Sequence, residues 1–283
     1  MVKQYSDMEL KKLQSVECDM CKDIHDVCAK HNIGYSIAFG SLIGAIRHKG
    51  FIPWDDDMDI VMTRQDYEKF EKIFDEELGD RYYLMSPLRD KRYLGNVIKV
   101  EKKGTAFVNK HSKKMKCPQG IFIDIFIYDK IPDDEVLFSK QKKMSRLYAM
   151  LVFLYCSPWA EVGMRGIKGA LAKAVCFIMH YILHLIPHGN VFLYKKMLKY
   201  SMISNDSDSD RYIVYQDVNA SGTIVSKEDI EPYRQVEFDG EVLNIPNNYD
   251  KVLKDYYGDY MELPPIEKRV NHAADILDFG EEI

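Results

Sequence analysis

The sequence lacks the features that would place it in several large classes of protein. No apolar core follows the polar N-terminal residues, so a secretory signal is not predicted. It contains no internal repeat or low-complexity tract, and its net charge of −5 provides no general basic surface for nucleic acid. The sequence therefore predicts an ordinary globular protein of one large domain or two small ones, located in the cytoplasm and without a nucleic-acid partner.

Cysteine is scarce, and its spacing argues against a structural zinc site. Six cysteines occur among 283 residues. Cys18, Cys21 and Cys28 lie close together, but they fall within a helical pattern of apolar residues, and no second close pair of Cys or His completes a four-ligand set. We expect all six to be free thiols in a reducing compartment.

The stretch 35–62 combines a turn suited to phosphate with a dense run of carboxylates. Its first part predicts a short buried strand from Tyr35 to Phe39, followed by an apolar helix. Gly40 permits a tight reversal, and Ser41 is predicted to cap the helix while its backbone N–H faces outward. The positive end of a helix at such a turn favours a phosphate group.

Four carboxylates, Asp55, Asp56, Asp57 and Asp59, follow within five residues. Carboxylates this close repel one another and need a cation or a solvated loop, so an acidic surface turn is the alternative to a cation site. If 58–62 form a strand, Asp57 and Asp59 point to one face. Asp55 and Asp57 also occupy alternating positions, but the apolar residues that follow Asp57 and Asp59 favour this second pair. Oxygen ligands suit Mg2+ or Mn2+.

One charged residue interrupts a later apolar strand. Asp124 lies in the predicted strand 121–128, where seven of eight residues are large and apolar. A carboxylate buried there is costly unless it is paired or bound to a metal. Either Asp124 pairs with a core Arg or Lys, or it joins Asp57 and Asp59 as the third acid of one site, which we favour. Lys99, in the segment between, is either a contact for a diphosphate or a surface lysine.

The segment from Arg47 to Asp59, RHKGFIPWDDDMD, resembles the LicD family, whose members include bacterial phosphocholine transferases and fukutin-related ribitol-phosphate transferases. Gly40-Ser41 followed by a carboxylate pair resembles the nucleotidyltransferase fold, and residues 245–265 resemble the C-terminal signature of LicD proteins. The resemblance implies an α/β (α+β) fold, with a nucleotidyltransferase-like mixed sheet, flanking helices and a helical insertion. It also implies a third acid on a later strand, as at Asp124.

The resemblance further implies a metal-dependent LicD-type phosphotransferase. It would move a phospho-alcohol, with phosphocholine the leading candidate, from a CDP-activated donor such as CDP-choline to a hydroxyl of a cell-surface glycan or teichoic-acid-type precursor, and CMP would leave. A nucleotidyltransferase that joins NMP to a small molecule or sugar, and a non-catalytic scaffold, remain as alternatives. The predicted catalytic and metal residues, for Mg2+ or Mn2+, are Asp57, Asp59 and Asp124. The predicted substrate-binding residues are Gly40, Ser41, Arg47, His48, Asp55, Asp56 and Lys99.

Three segments are predicted along the chain. Residues 1–132 form the nucleotidyltransferase-like core, residues 133–210 the helical insertion, and residues 211–283 a hairpin and helix that pack back on the core. The apolar run 171–187 is too short and too polar for a confident membrane span, so it is either a core helix hairpin or an interfacial helix. The second option predicts contact with the inner face of the cell membrane through residues 136–203, where acceptor choice is also expected.

Two pairs of residues have no firm role in the sequence. His180 and His184 are one helical turn apart but have no evident third ligand, so a metal site there is not predicted. Asp259 and His272 either approach the site or serve in packing and capping.

Overall fold

A mixed sheet with helices packed around it forms the centre of the protein. The computed structural model describes residues 4–110, 112–158, 166–217, 222–271 and 273–280. The strands are β1 (Ser36–Ile37), β2 (Asp59–Thr63), β3 (Tyr82–Met85), β4 (Ile98–Lys102), β5 (Ala106–Val108), β6 (Phe122–Lys130), β7 (Arg211–Val214), β8 (Val225–Ser226), β9 (Arg234–Phe238), β10 (Glu241–Ile245) and β11 (Ile276–Asp278). The helices are α1 (Asp7–His31), α2 (Phe39–His48), α3 (Arg64–Glu77), α4 (Glu135–Cys156), α5 (Gly166–Leu183), α6 (Gly189–Ser201), α7 (Lys227–Ile230) and α8 (Tyr249–Tyr257).

Seven of the described strands form one sheet. Its main path has the order β1-β2-β6-β4-β3, and β7 and β8 continue it beside β6. β2 runs parallel to β6, whereas β4 and β7 run antiparallel to it. Because β6 has nine residues, β4 pairs with its first half and β7 with its last three residues. The predicted mixed α/β class with a helical insertion is confirmed.

α1 covers the main core, as its apolar pattern predicts. A capping box between Ser6 and Glu9 begins the helix, and Asn32 in the left-handed conformation ends it. Leu13, Met20 and other apolar residues of one face are fully buried against the sheet.

The first strand is shorter than predicted, and the helix after it begins earlier. β1 contains only Ser36–Ile37, and α2 begins at Phe39 with Ala38 as its N-cap. Phe39 has a positive φ of 47°, a strained conformation for a bulky residue. Its ring packs edge-on against the rings of Phe126 and Tyr256, so burial of the aromatic side chain offsets the strain.

Two turns are formed by residues with strong local turn and capping preferences. Thr63 caps α3 by accepting a hydrogen bond from the backbone N–H of Asp66. Asp239 and Gly240 have φ values of 47° and 91°, which fits a two-residue hairpin turn between β9 and β10. The Asp239 side chain also accepts a bond from the backbone N–H of Phe51, 3.2 Å away, so this hairpin is tied to the segment before the acidic run.

The helical insertion consists of α4, α5 and α6 in the described residues. α4 and α6 pack closely through a core that includes Ala149, Val152 and Leu193. α5 and α6 are separate helices with a break between them. Of the two alternatives for 171–187, the core hairpin does not fit α5, because most of its apolar side chains are exposed. Among the described helices, α5 is long and apolar enough to cross a membrane by length and composition.

The C-terminal segment returns to the core. β7 joins β6 in the central sheet, β9 and β10 form a hairpin against the main core, and α8 contacts α2. All six cysteines are free thiols. The division into three units stays a prediction.

Candidate functional site

Three charged residues form a row across three neighbouring strands. Asp59 on β2 is the register partner of Asp124 on β6, and Asp124 is the register partner of Lys99 on β4. Register partners on neighbouring strands point to the same face, and the strands lie about 4.8 Å apart. The sheet therefore brings the predicted third acid directly beside the acidic run. The predicted proximity of Asp124 to Asp59 is confirmed.

Lys99 supplies the cation in this row. Its Nζ lies 2.8 Å from Asp124 Oδ1, although the angle does not meet hydrogen-bond geometry. The same Nζ lies 3.0 Å from the ring centroid of Phe122. Asp124 therefore pairs with a lysine and also lies next to Asp59, while its role as the third acid of a cation site stays a prediction.

The acidic run alternates between two environments. Asp55, Asp57 and Asp59 are partly exposed, whereas Asp56 is fully buried between them. Asp56 points to the inner side, where the hydroxyl of Tyr5 donates to its carboxylate and accepts from a backbone N–H. The carboxylates of Asp55, Asp57 and Asp59 are thus accessible from outside, whereas Asp56 holds the loop.

Gly40 and Ser41 lie in the first turn of α2, beside the acidic run. The prediction that Ser41 caps this helix is wrong. Its side chain is buried, and its Oγ instead accepts a hydrogen bond from the backbone N–H of Asp59 at 2.9 Å. A Cβ on Gly40 would lie 2.8 Å from Asp55 Oδ2. Gly40 therefore permits the carboxylate of Asp55 to approach the helix N terminus, whose first N–H groups have no partner within the helix.

The electrostatics of this region are dominated by like charge. Burial, followed by the negative charges of Asp57 and Asp124, raises the pKa of Asp59 well above its ordinary value. The Lys99 cation acts in the opposite direction but does not outweigh these effects. A cation placed between Asp59 and Asp124 would relieve this repulsion.

Glu17 on α1 is a carboxyl that sequence reasoning missed. It is fully buried, and neither of its oxygens has a hydrogen-bond partner among the described residues. Burial, then the charges of Asp57 and Asp56, raise the pKa of Glu17 well above its ordinary value. The acidic run and the buried position of Glu17 thus both favour the protonated form of its carboxyl. A single acidic residue on the apolar face of α1 was the available signal.

Arg47 and His48 lie at the other end of α2 and contact the C-terminal segment. Arg47 Nη1 donates to the carbonyl of Tyr260 at 2.8 Å, and its Nε donates to His48 Nε2 at 2.9 Å. Burial and the charge of Arg47 lower the pKa of His48, which accepts that bond as a neutral ring. Nearby, the guanidinium of Arg269 lies 5.1 Å from the ring centroid of Trp54. The predicted anion-binding role of Arg47 and His48 stays a prediction.

Tyr257 is an aromatic residue that sequence reasoning did not place in the site. The residue is 47% exposed. Burial, then the charges of Asp59 and Asp217, raise the pKa of Tyr257. The signal was present in the Tyr-Tyr-Gly-Asp-Tyr string at 256–260, but nothing in it indicates which ring faces the acids.

The donor chemistry of the row fits a hard divalent cation. Carboxylate oxygens are the preferred ligands of Mg2+ and Mn2+. As they stand, no three His, Cys, Asp or Glu side chains in the described ranges lie close enough together to hold a metal ion. Asp59 and Asp124 are adjacent, and the charge of Asp57 acts on Asp59.

The other candidate ligands lie elsewhere or cannot be placed. His180 Nδ1 donates to the carbonyl of Leu154 at 2.7 Å, and His184 Nε2 donates to that of Tyr155 at 3.0 Å, so both rings bind backbone. Asp259 is exposed and accepts from the N–H of Met261 in a local turn. His272 lies outside the described residues.

Comparison with known proteins adds an independent result. Residues 32–150 match the family model described as LicD/FKTN/FKRP, nucleotidyltransferase domain. The chain is 32% identical over 278 residues to the lipopolysaccharide cholinephosphotransferase LicD of Haemophilus influenzae, which covers 94% of this chain and 96% of that protein. An uncharacterized protein of Rickettsia typhi is 42% identical over 82 residues, 28% of this chain and 26% of its own length. Another from Rickettsia prowazekii is 34% identical over 116 residues, 40% of this chain and 39% of its own. Because the Haemophilus protein is matched along almost its whole length, this chain belongs to the LicD family.

Proposed function

We propose that this LicD-type transferase is metal-dependent and moves phosphocholine from CDP-choline to a hydroxyl of a lipopolysaccharide-type glycan. The relative matched along almost its whole length is named as a lipopolysaccharide cholinephosphotransferase, which supports both the transferred group and the acceptor class. The single structural observation that carries the proposal is the row of Asp59, Asp124 and Lys99 on adjacent strands. Phosphoryl transfer needs this combination of carboxylates and cation, since its catalysis is mainly positioning and neutralisation of charge.

The residues of the row have separate roles in the proposal. Asp57, Asp59 and Asp124 would hold Mg2+ or Mn2+, which when bound neutralises charge on the diphosphate. Lys99 leaves its ion pair with Asp124 to contact the donor phosphate. In the transfer, the acceptor oxygen forms a bond to the phosphorus of phosphocholine while the bond from that phosphorus to the CMP oxygen breaks. The proton of the acceptor hydroxyl passes to a carboxylate, for which Asp124 is the candidate.

The donor would lie between the α2 N terminus and the exposed ring of Tyr257. The first turn of α2 at Gly40 and Ser41 offers backbone N–H groups to a phosphate. The quaternary ammonium of choline favours an aromatic face, and Tyr257 presents one beside the carboxylates. Both contacts agree with a CDP-alcohol donor.

The test measures which nucleotide product leaves. Purified protein is incubated with Mg2+, a panel of CDP-alcohols that includes CDP-choline, and lipopolysaccharide as acceptor. We expect release of CMP with CDP-choline and a gain of phosphocholine by the acceptor, seen by mass spectrometry. Asp59→Asn and Asp124→Asn should each lower the rate by about a hundredfold or more. Asp26→Asn, an exposed aspartate on α1 whose side chain is 58% exposed, serves as the matched control and should keep full activity.

Each alternative gives a different result in the same assay. A nucleotidyltransferase would release pyrophosphate from an NTP and join NMP to the acceptor. A scaffold would release neither product, and its cellular function would survive both substitutions. EDTA should abolish CMP release and excess Mg2+ or Mn2+ should restore it; unchanged activity in EDTA would contradict the metal requirement.

A further inference from the structure

An apolar stripe lies exposed along α5 and the residues just after it. Ile167, Leu171, Ile178 and Leu185 are 90%, 66%, 58% and 80% exposed. Val175, Tyr181 and Ile182 on the same side are each at least half exposed. Exposed apolar side chains in one contiguous stripe are unusual on a soluble surface and mark a contact with a partner or a membrane.

The opposite side of α5 is fixed to α4. His180 and His184 donate to the last carbonyls of α4, at 2.7 and 3.0 Å, and Leu183 is buried among the side chains of α4 and α6. The stripe is therefore held outward in a set orientation, with its apolar residues away from the rest of the helical insertion.

The helical insertion that carries the stripe is strongly positive. Residues 136–203 contain ten Lys and Arg and one Glu, a net charge of +9 within a chain whose total is −5. On α5, Lys168 is exposed at the border of the stripe and Lys173 is exposed on the opposite side; Lys140, Lys142 and Lys143 lie on α4. Apolar residues bordered by basic residues are the pattern of a helix that lies in the interface of an anionic bilayer.

We propose that α5 docks this protein onto an anionic lipid bilayer, with its apolar stripe in the acyl boundary and its lysines at the headgroups. The helix has 18 residues and is about 27 Å long, so it lies along the surface as a rod. A second copy of the chain does not fit as the occupant, because it would bring another strongly positive surface against this one. A spanning orientation does not fit either, because it would break the bonds of His180 and His184 to α4.

Docking also fixes the site relative to the bilayer. Asn96 donates to the carbonyl of Ala149 on α4, and Asn190 on α6 donates to the carbonyls of Lys91 and Tyr93. The loop held in this way leads directly into β4, which carries Lys99. Short polar contacts thus connect the helical insertion, which would lie on the membrane, to the strand that carries Lys99. The proposal does not depend on which group is transferred.

Flotation with lipid vesicles tests the proposal. The full chain is mixed with vesicles of phosphatidylcholine alone or with a third of phosphatidylglycerol. We expect the protein to bind the anionic vesicles, and to bind the neutral vesicles at least about tenfold more weakly. High salt should weaken its binding to the anionic vesicles. The double variant Ile178→Glu with Ile182→Glu should lose about tenfold or more of the binding, because it places two carboxylates in the stripe. Val242→Glu, on the exposed side of β10 and 51% exposed, is the matched control and should bind as the parent does.

The remaining outcomes overturn the proposal. Equal binding by the parent and the double variant would show that the stripe is not the docking surface. A protein that resists extraction from vesicles by alkaline carbonate would span the bilayer and not lie on it. A protein that forms dimers in sedimentation velocity, becomes monomeric as the double variant and ignores vesicles would show that a second copy covers the stripe. The circular dichroism spectrum and the thermal midpoint of the double variant establish that it is folded.

Discussion

Gly40 occupies the point where the first turn of α2 comes nearest to the acidic run. An alanine Cβ there would lie 2.8 Å from Asp55 Oδ2, so the carboxylate must move, while the helical backbone accepts alanine without strain. We expect Gly40→Ala to lower CMP release by about tenfold with a thermal midpoint at or above that of the parent, since alanine favours a helix by up to about 1 kcal/mol.

A double-variant cycle separates this effect from general damage. If Gly40→Ala acts by displacing Asp55, it should cost little further activity in an Asp55→Ala background. Equal losses in the two backgrounds would mean that the alanine disturbs the phosphate-binding turn itself.

Glu17 makes stability depend on pH, and the sign follows from its raised pKa. Below an ordinary value of 4.5 the carboxyl is protonated in both states and contributes nothing. As pH rises above that value the unfolded chain releases the proton while the folded protein keeps it, so unfolding becomes easier. Glu17→Gln removes this penalty. Its thermal midpoint minus that of the parent should grow as the pH rises above 4.5, measured by calorimetry in EDTA.

Glu76→Gln is the control for the pH effect. Glu76 lies exposed on α3, so its substitution should give the same small difference at every pH. A difference for Glu17→Gln that is constant over the range would contradict the buried, protonated carboxyl.

For single residues, the sequence predicted which acidic side chains belong to the candidate site better than it predicted which groups the side chains contact. Alternation with period two placed Asp57 and Asp59 on one face, and the lone charge in an apolar strand marked Asp124, but nothing in the sequence indicated that Asp56, predicted to bind substrate, is buried. Ser41 was misassigned because a hydroxyl beside a helix start serves a cap or a neighbouring strand equally well in sequence. Glu17 lies far from the acidic run along the chain, and only the tertiary fold brings the two together.

Asp229 anchors a short element, α7, to α8. Its carboxylate accepts bonds from Ser226, Lys251 and Asn248. Burial would raise its pKa, but the bonds from Lys251, Ser226 and Asn248 outweigh burial and lower the pKa of Asp229 to about 2. A depressed pKa stabilises the fold above the ordinary value of 3.8, and this contribution is lost as pH falls toward 2. We expect Asp229→Asn to lower the free energy of unfolding by about 2 kcal/mol at pH 7, measured with urea.

Asp255→Asn is the matched change for this element. Asp255 pairs with the same lysine, but its side chain is 41% exposed, so its loss should cost less than about 0.5 kcal/mol. The difference between Asp229→Asn and the parent should shrink between pH 4 and pH 2. A loss that is independent of pH would assign the effect to packing and not to the charge.

Elements with strong local signals were predictable, and those set by tertiary contacts were not. The capping residues of α1 and α3 and the Asp-Gly turn of the hairpin act within three residues of the chain, so signals of this kind can be read locally. The start of α2 depends on Phe39 finding a pocket between Phe126 and Tyr256, which no local pattern reveals. The exposure of α5 was ambiguous for another reason, since an apolar helix has the same composition whether it faces a core or a membrane.

At the level of the whole molecule, the hydrogen bonds of Asn190 connect the helical insertion to the central sheet. This side chain is 3% exposed, and its Nδ2 donates to the carbonyls of Lys91 and Tyr93 at 2.7 and 3.1 Å. Those carbonyls belong to the loop that leads into β4 and Lys99.

Asn190→Ala leaves them without a donor while the sheet and the α4–α6 core remain, so the loop should open more often. We expect faster amide hydrogen exchange across residues 91–98 and a several-fold fall in kcat with little change in the thermal midpoint. Asn247→Ala, which removes a bond to the carbonyl of Glu228 in the C-terminal segment, should leave exchange at 91–98 unchanged. Unaltered exchange in Asn190→Ala would mean that the insertion and the site are not coupled through this loop, and membrane docking would then hold the insertion alone.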